Sequence, residues 1–211
     1  MAEATAEEVL ADVAAEVKTC PKCELARTRT HAVPGDGNPN ARIMFIGEGP
    51  GWHEDQQGKP FVGAAGKFLN ELLALAGLKR EDVFITNVVK CRPPGNRDPM
   101  PDEIAACAPY LDRQIAAINP DVVVTLGRFS MSRWFPGERI SRIHGQPKKA
   151  DGRLIVPMYH PAAALHQSAL RGAIEEDFAK LPKILLDAER ERTKRAEETK
   201  PEEPAAQMKL F

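Results

Sequence analysis

The sequence predicts an α/β fold, a three-layer sandwich in which helices cover both faces of a central, mostly parallel four-stranded sheet. Three observations carry this expectation. Four short apolar runs, 42–46, 82–89, 121–127 and 153–158, are rich in β-branched residues and bounded by turn formers, as strands buried on both faces are. Segments with apolar residues at helical spacing separate them, and strands alternating with helices build a parallel sheet. The 211 residues, 43% of them hydrophobic, supply one core, hence one domain with tails rather than two domains.

Taken in order, residues 6–17 form an amphipathic helix with Val9, Leu10, Val13 and Val17 on one face. Thr5, three residues before Glu8, supplies a capping box. Cys20-Pro21-Lys22-Cys23 ends that helix, and a polar Gly/Pro-rich connection over 31–40 leads to the first strand. Residues 67–76 place Phe68, Leu69, Leu72, Leu73 and Leu75 at helical spacing and stop at Gly77. Pro101-Asp102-Glu103 opens a further helix with proline and acids in its first turn, and Pro109 is expected to kink it. A charged helix over 178–195 carries Leu181, Ile184 and Leu185. Residues 196–206 are acidic and proline-punctuated, too polar to bury a core, and 207–211 return to apolar residues like a short peptide ligand on a tether.

No apolar run is long enough to cross a bilayer, and the first helix is acidic rather than basic-then-apolar. The expected location is therefore the cytoplasm. Net charge is −1, but 20–186 holds 22 lysines and arginines against 18 acids, a difference of +4. That balance permits a nucleic-acid partner without demanding one.

The chemistry centres on Gly47-Glu48-Gly49-Pro50-Gly51, directly after the first strand. Glycines let backbone approach a ligand, and Glu48 stands at the carboxyl end of a strand, where open α/β sheets bind. A tight turn with a solvated glutamate is the plain alternative. Asn87 lies near the end of the second strand and His160 just after the fourth, so Glu48, Asn87 and His160 converge on one crevice with Phe61 nearby. An amide reads donor and acceptor together, a ring stacks on a base, and an imidazole stabilises a developing anion. Taken singly, each residue has an ordinary structural use as a turn cap, a core ring or a surface histidine. The four cysteines, Cys20, Cys23, Cys91 and Cys107, suit one metal site better than disulfides in an intracellular chain, with zinc and an iron–sulfur cluster both open and inert buried thiols the plain alternative.

Several of these motifs together resemble the type 4 uracil-DNA glycosylases, iron–sulfur members of the uracil-DNA glycosylase superfamily. The resemblance covers most of 20–185. It rests on Cys20-x-x-Cys23, Gly47-Glu48-Gly49-Pro50-Gly51 with Glu54-Asp55, Gly58-Lys59-Pro60-Phe61-Val62-Gly63, Thr86-Asn87-Val88-Val89-Lys90-Cys91-Arg92-Pro93-Pro94, Cys107 and His160-Pro161. It implies a domain at 20–186 that holds a 4Fe-4S cluster on Cys20, Cys23, Cys91 and Cys107, after an N-terminal helix at 1–19. A charged helix end and tether would occupy 187–206. The implied reaction is monofunctional hydrolysis of the N-glycosidic bond of deoxyuridine in single- or double-stranded DNA, leaving an abasic site for base excision repair.

The resemblance assigns uracil binding to Gly49, Phe61, Asn87 and His160, and catalysis to Glu48 and His160 with Glu54 as a second acid. Leu165, His166 and Arg171 are candidates to wedge and hold the extruded nucleotide in DNA. Ala162 departs from the serine that often follows His-Pro in the family, which removes one hydroxyl that could reach a phosphate. The end of the chain, Gln207-Met208-Lys209-Leu210-Phe211, resembles the peptides that dock bacterial repair proteins on the sliding clamp, with Gln207, Leu210 and Phe211 as anchors. A monomeric, nucleoid-associated enzyme is expected. The alternatives are a glycosylase for hypoxanthine or xanthine and a non-catalytic iron–sulfur protein that binds DNA.

Overall fold

The computed structural model describes residues 4–198, with side chains described to residue 194. The predicted tether and the Gln207, Leu210 and Phe211 peptide lie outside the described residues. The first helix, α1 (Ala6–Thr19), begins with the expected capping box: Thr5 Oγ1 accepts from the Glu8 amide and the Glu8 carboxylate accepts from the Thr5 amide. A short α2 (Leu25–Thr28) follows the CxxC loop, then β1 (Asp36–Gly37) and β2 (Ile43–Gly47). Helix α3 (Trp52–Gln57) and α4 (Ala64–Leu75) lead to β3 (Phe84–Asn87), and α5 (Pro101–Ile118) to β4 (Val122–Leu126). After α6 (Arg128–Ser132), α7 (Ile140–Ile143) and β5 (Lys148–Ala150), β6 (Arg153–Met158) precedes α8 (Pro161–His166), α9 (Leu170–Ala179) and α10 (Leu181–Glu198).

The sheet runs β1-β3-β2-β4-β6-β5, with β3, β2, β4 and β6 parallel. These four are the predicted strands. The expectation of four is corrected to six by β1 and β5, which pair antiparallel on the two edges. Two and three residues long, with no apolar alternation, they leave no signal in the sequence. The central strands are buried on both faces, so alternate residues feed two cores. Ile43 and Phe45 of β2 pack with α4, α9 and α10, while Met44 and Ile46 pack with α1 and α5.

Helix α5 runs through Pro109 as a single 18-residue element. The predicted 178–195 helix is α10, which starts three residues later than expected, with Pro182 in its first turn, where the missing N–H costs nothing, while 178–179 end α9. With β2, β3, β4 and β6 parallel, every carboxyl end points the same way, and the segments that follow them share one crevice.

Candidate active site

A cleft of about 530 Å³ opens at those carboxyl ends, within the range of small-ligand sites. Glu48, Gly49, Phe61, Asn87 and His160 all line it, together with Glu54 and His166. The β3–α5 connection adds Asn96, Arg97 and Asp98.

Asn87, the last residue of β3, is only 2% exposed, and its Oδ1 has no hydrogen-bond partner among the described residues. Three other buried side-chain polar atoms share that state, on Arg42, Thr125 and Arg153, but none of those residues lines the cleft. An orphaned buried acceptor costs about 1–3 kcal/mol, so it marks a place built for a donor. The closeness of β2 and β3 sets its position: a Cβ on Gly47 would stand 2.4 Å from Asn87 Oδ1 and 2.8 Å from Phe61 Cζ. Only glycine leaves both side chains their places.

Phe61 is strained, with φ of 52° in the left-handed region that non-glycine residues avoid. Its surroundings impose the conformation. Helix α4 comes so near that a Cβ on Gly66 would stand 2.0 Å from the Phe61 carbonyl oxygen, and Arg80 donates to the carbonyls of both Pro60 and Phe61. The ring thus held packs against His160, with centroids 5.5 Å apart and planes 26° from parallel.

His160 caps α8: its Nδ1 accepts the Ala162 amide at 3.1 Å. Since that nitrogen is the acceptor, the proton of the neutral ring sits on Nε2, which becomes a donor. Protein encloses the ring on all sides but the cleft, and this burial pulls its pKa down to about 4, against the opposing pull of Glu54. His160 is therefore a neutral hydrogen-bond donor at ordinary pH.

The two acids differ in surroundings. Glu54 Oε1 accepts from the amides of Val62 and Gly63, both at 2.9 Å, and so pins the loop that carries Phe61. The Glu48 carboxylate has no hydrogen bond or ion pair among the described residues, and burial, reinforced by Asp98, raises its pKa above 4.5 while Arg128 opposes. Asp98 and Arg128 pair with one another beside it.

Farther along the wall, Leu165 (52% exposed) and His166 stand out on α8. Arg171 is engaged elsewhere: it bonds Glu71 at 2.9 Å and Glu175 at 2.8 Å and lies over the Phe68 ring. Sequence reasoning missed Arg80, Gly66, Arg97 and Asp98. Of these only Arg97 and Asp98 had a signal, their place in the loop after β3.

On the α1/α5 side, the free thiols Cys20, Cys23, Cys91 and Cys107 line a single cavity with Arg29, Lys90 and Tyr110. Arg29 Nη1 donates to Cys91 Sγ and the Lys90 amide to Cys107 Sγ, both at 3.3 Å. Among the described residues no three His, Cys, Asp or Glu side chains come close enough for one metal ion. No helix among them is long and apolar enough to cross a membrane.

A six-stranded α/β sheet with an amide, a histidine and an unpaired acid lining the cleft at its carboxyl edge is the arrangement of an α/β protein that binds a small polar ligand there. The profile of the Uracil DNA glycosylase superfamily matches residues 34–182. A Type-4 uracil-DNA glycosylase from Sulfurisphaera tokodaii is 52% identical over 83% of this chain and 84% of that protein. One from Thermotoga maritima is 46% identical over 83% of this chain and 94% of its own length. A Type-5 uracil-DNA glycosylase from Thermus thermophilus is 38% identical over only 47% of this chain and 52% of its own. The chain belongs to the uracil-DNA glycosylase superfamily, among its type 4 members.

Proposed function

We propose that the chain is a monofunctional uracil-DNA glycosylase of base excision repair, which hydrolyses the N-glycosidic bond of deoxyuridine in DNA. The orphaned Oδ1 of Asn87 carries this reading. Uracil offers N3–H to that acceptor and O4 to the amide N–H, whereas cytosine presents a bare N3 and an amino group and would meet each Asn87 atom with its like. Phe61 flanks the base, and the Gly49 backbone borders it. His160 Nε2–H donates to O2 as negative charge grows on the leaving uracil. Glu48, whose carboxylate has no hydrogen bond or ion pair among the described residues, orients water or offsets the positive charge on the sugar, while Glu54 positions Phe61.

DNA would reach the cleft as a flipped nucleotide or a single strand. Leu165 fills the gap left in the stack and His166 touches phosphate, with Arg171 the weakest contributor because two carboxylates already hold it. A monomer is the form proposed. The setting proposed is the nucleoid, where a DNA substrate lies.

The test uses protein purified without oxygen, an end-labelled oligonucleotide with one uracil, and alkali to cut at abasic sites. Cutting with wild type, none on thymine DNA and about 10²-fold less with His160→Ala is expected. Absence of cutting by a folded protein that retains its iron would overturn the reading. Gly47→Ala is expected to cost more than 100-fold in excision but only about 1–3 kcal/mol in stability, since overpacking displaces Asn87 and Phe61 first. Melting and excision measured side by side check this.

We propose that the cysteine cavity holds a 4Fe-4S cluster. Its donor set supports this: four thiols line one cavity, and N–H groups face two of the sulfurs. When bound, such a group supplies a cross-link between the end of α1, the segment after β3 and α5, not a chemical step. Cys91→Ala is expected to abolish the brown colour and lower the melting temperature by about 10 °C, the effect of losing a covalent cross-link. Unchanged melting would refute the structural role. Residues 207–211 are proposed to dock a sliding clamp, and clamp affinity unchanged by their deletion would exclude that.

A further inference from the structure

Lys90 is 1% exposed, and no carboxylate pairs with it among the described residues. Its three ammonium protons meet three neutral acceptors: Thr86 Oγ1 at 2.5 Å, the Asn87 carbonyl at 2.8 Å and Gln114 Oε1 at 2.7 Å. Keeping an ammonium in a core is costly even with three hydrogen bonds and the Cys107 sulfur nearby, and a well-packed apolar residue of similar volume is often the more stable choice. The placement of the lysine points to a use. Its side chain reaches back three residues to the carbonyl of Asn87, whose amide faces the cleft from the same backbone unit. Its main chain is fixed independently: the amide donates to Cys107 Sγ, and the carbonyl accepts the Val33 amide at 2.7 Å. Gln114 completes the frame by donating to the Pro34 carbonyl at 2.7 Å, to which Thr86 also donates.

We infer that Lys90 is a positioning residue: it sets the orientation of Asn87 in the uracil cleft and ties that setting to the four-cysteine cavity. This rests on the reading of Asn87 as the uracil-binding amide. A side chain that braces Asn87 on one side, and a backbone braced by Cys107 on the other, make the two sites energetically linked. A brace shared by both sites acts in both directions, so uracil held in the cleft should also slow opening of the cysteine cavity.

The test measures free-uracil affinity by competition in the excision assay, and the rate at which a chelator removes iron from the protein as purified, with and without saturating uracil. Lys90→Met is expected to weaken uracil inhibition about tenfold and to remove the slowing of iron loss that uracil gives the wild type. Gln114→Leu breaks the same frame from α5, away from the cysteines, and is expected to do the same more weakly, so a poorly folding Lys90→Met does not end the test. If both variants melt earlier but bind uracil as wild type does, Lys90 is a structural residue only and the inference is wrong. If uracil leaves the wild-type rate of iron loss unchanged, the link to the cysteine cavity is wrong. Wild type that excises no uracil overturns the functional reading itself, a result separable from either of these.

Discussion

Asn87→Ala is expected to lower kcat/KM for uracil excision about 10³-fold while leaving the melting temperature unchanged or slightly raised. Two hydrogen bonds to the uracil edge, each worth about 2 kcal/mol in a site closed to water, give roughly 4 kcal/mol, or about three powers of ten. The stability side has the opposite sign from most buried truncations. Among the described residues Oδ1 is an acceptor with no partner, so removing it relieves a desolvation cost that offsets the small cavity left behind. Steady-state excision and thermal melting of one preparation decide the matter. A loss below tenfold would mean that Asn87 does not read the base, and a fall of many degrees would mean that the amide is part of the fold.

The parts of this molecule legible in the sequence are those with a period or a terminus. The four parallel strands show as apolar runs, α1 shows its Thr5–Glu8 box, and the carboxyl-end rule alone brings Glu48, Asn87 and His160 to one cleft. What stays hidden depends on which atoms touch. Nothing in the residue types says that Glu54 is spent on two loop amides while Glu48 keeps both oxygens unpaired. Both are acids in one Gly-rich stretch, and only geometry divides them. Arg171 reads as a free cation until Glu71, a hundred residues away, is found against it. The strained Phe61 likewise depends on Arg80 and on Gly66, whose contacts with it cross from other elements.

The acid limb of the pH–rate profile should belong to Glu48, not to His160. Burial and Asp98 lift the Glu48 pKa above 4.5, so its negative charge is lost as pH falls through that raised value. The His160 pKa, pulled down to about 4 by burial, leaves the ring neutral and Nε2–H in place over the same range. Falling pH thus neutralises the Glu48 carboxylate, proposed to serve the sugar, before it disturbs the His160 Nε2–H, proposed to serve uracil O2. Glu48→Gln is expected to reduce kcat about 10²-fold and to flatten the acid limb, whereas substitution of His160 should lower the whole profile without moving that limb. Stability follows the histidine with a definite sign. The unfolded ring, with a pKa near 6.5, takes up its proton first, so the folded state is favoured in full above about pH 6.5. That advantage is lost as pH falls toward 4, by at most about 3 kcal/mol. Glu48 works the other way, costing stability as pH rises through its raised pKa, and Glu48→Gln should therefore melt higher at neutral pH. A wild-type acid limb that survives in Glu48→Gln would assign it to another group and leave Glu48 without the role its unpaired carboxylate suggests.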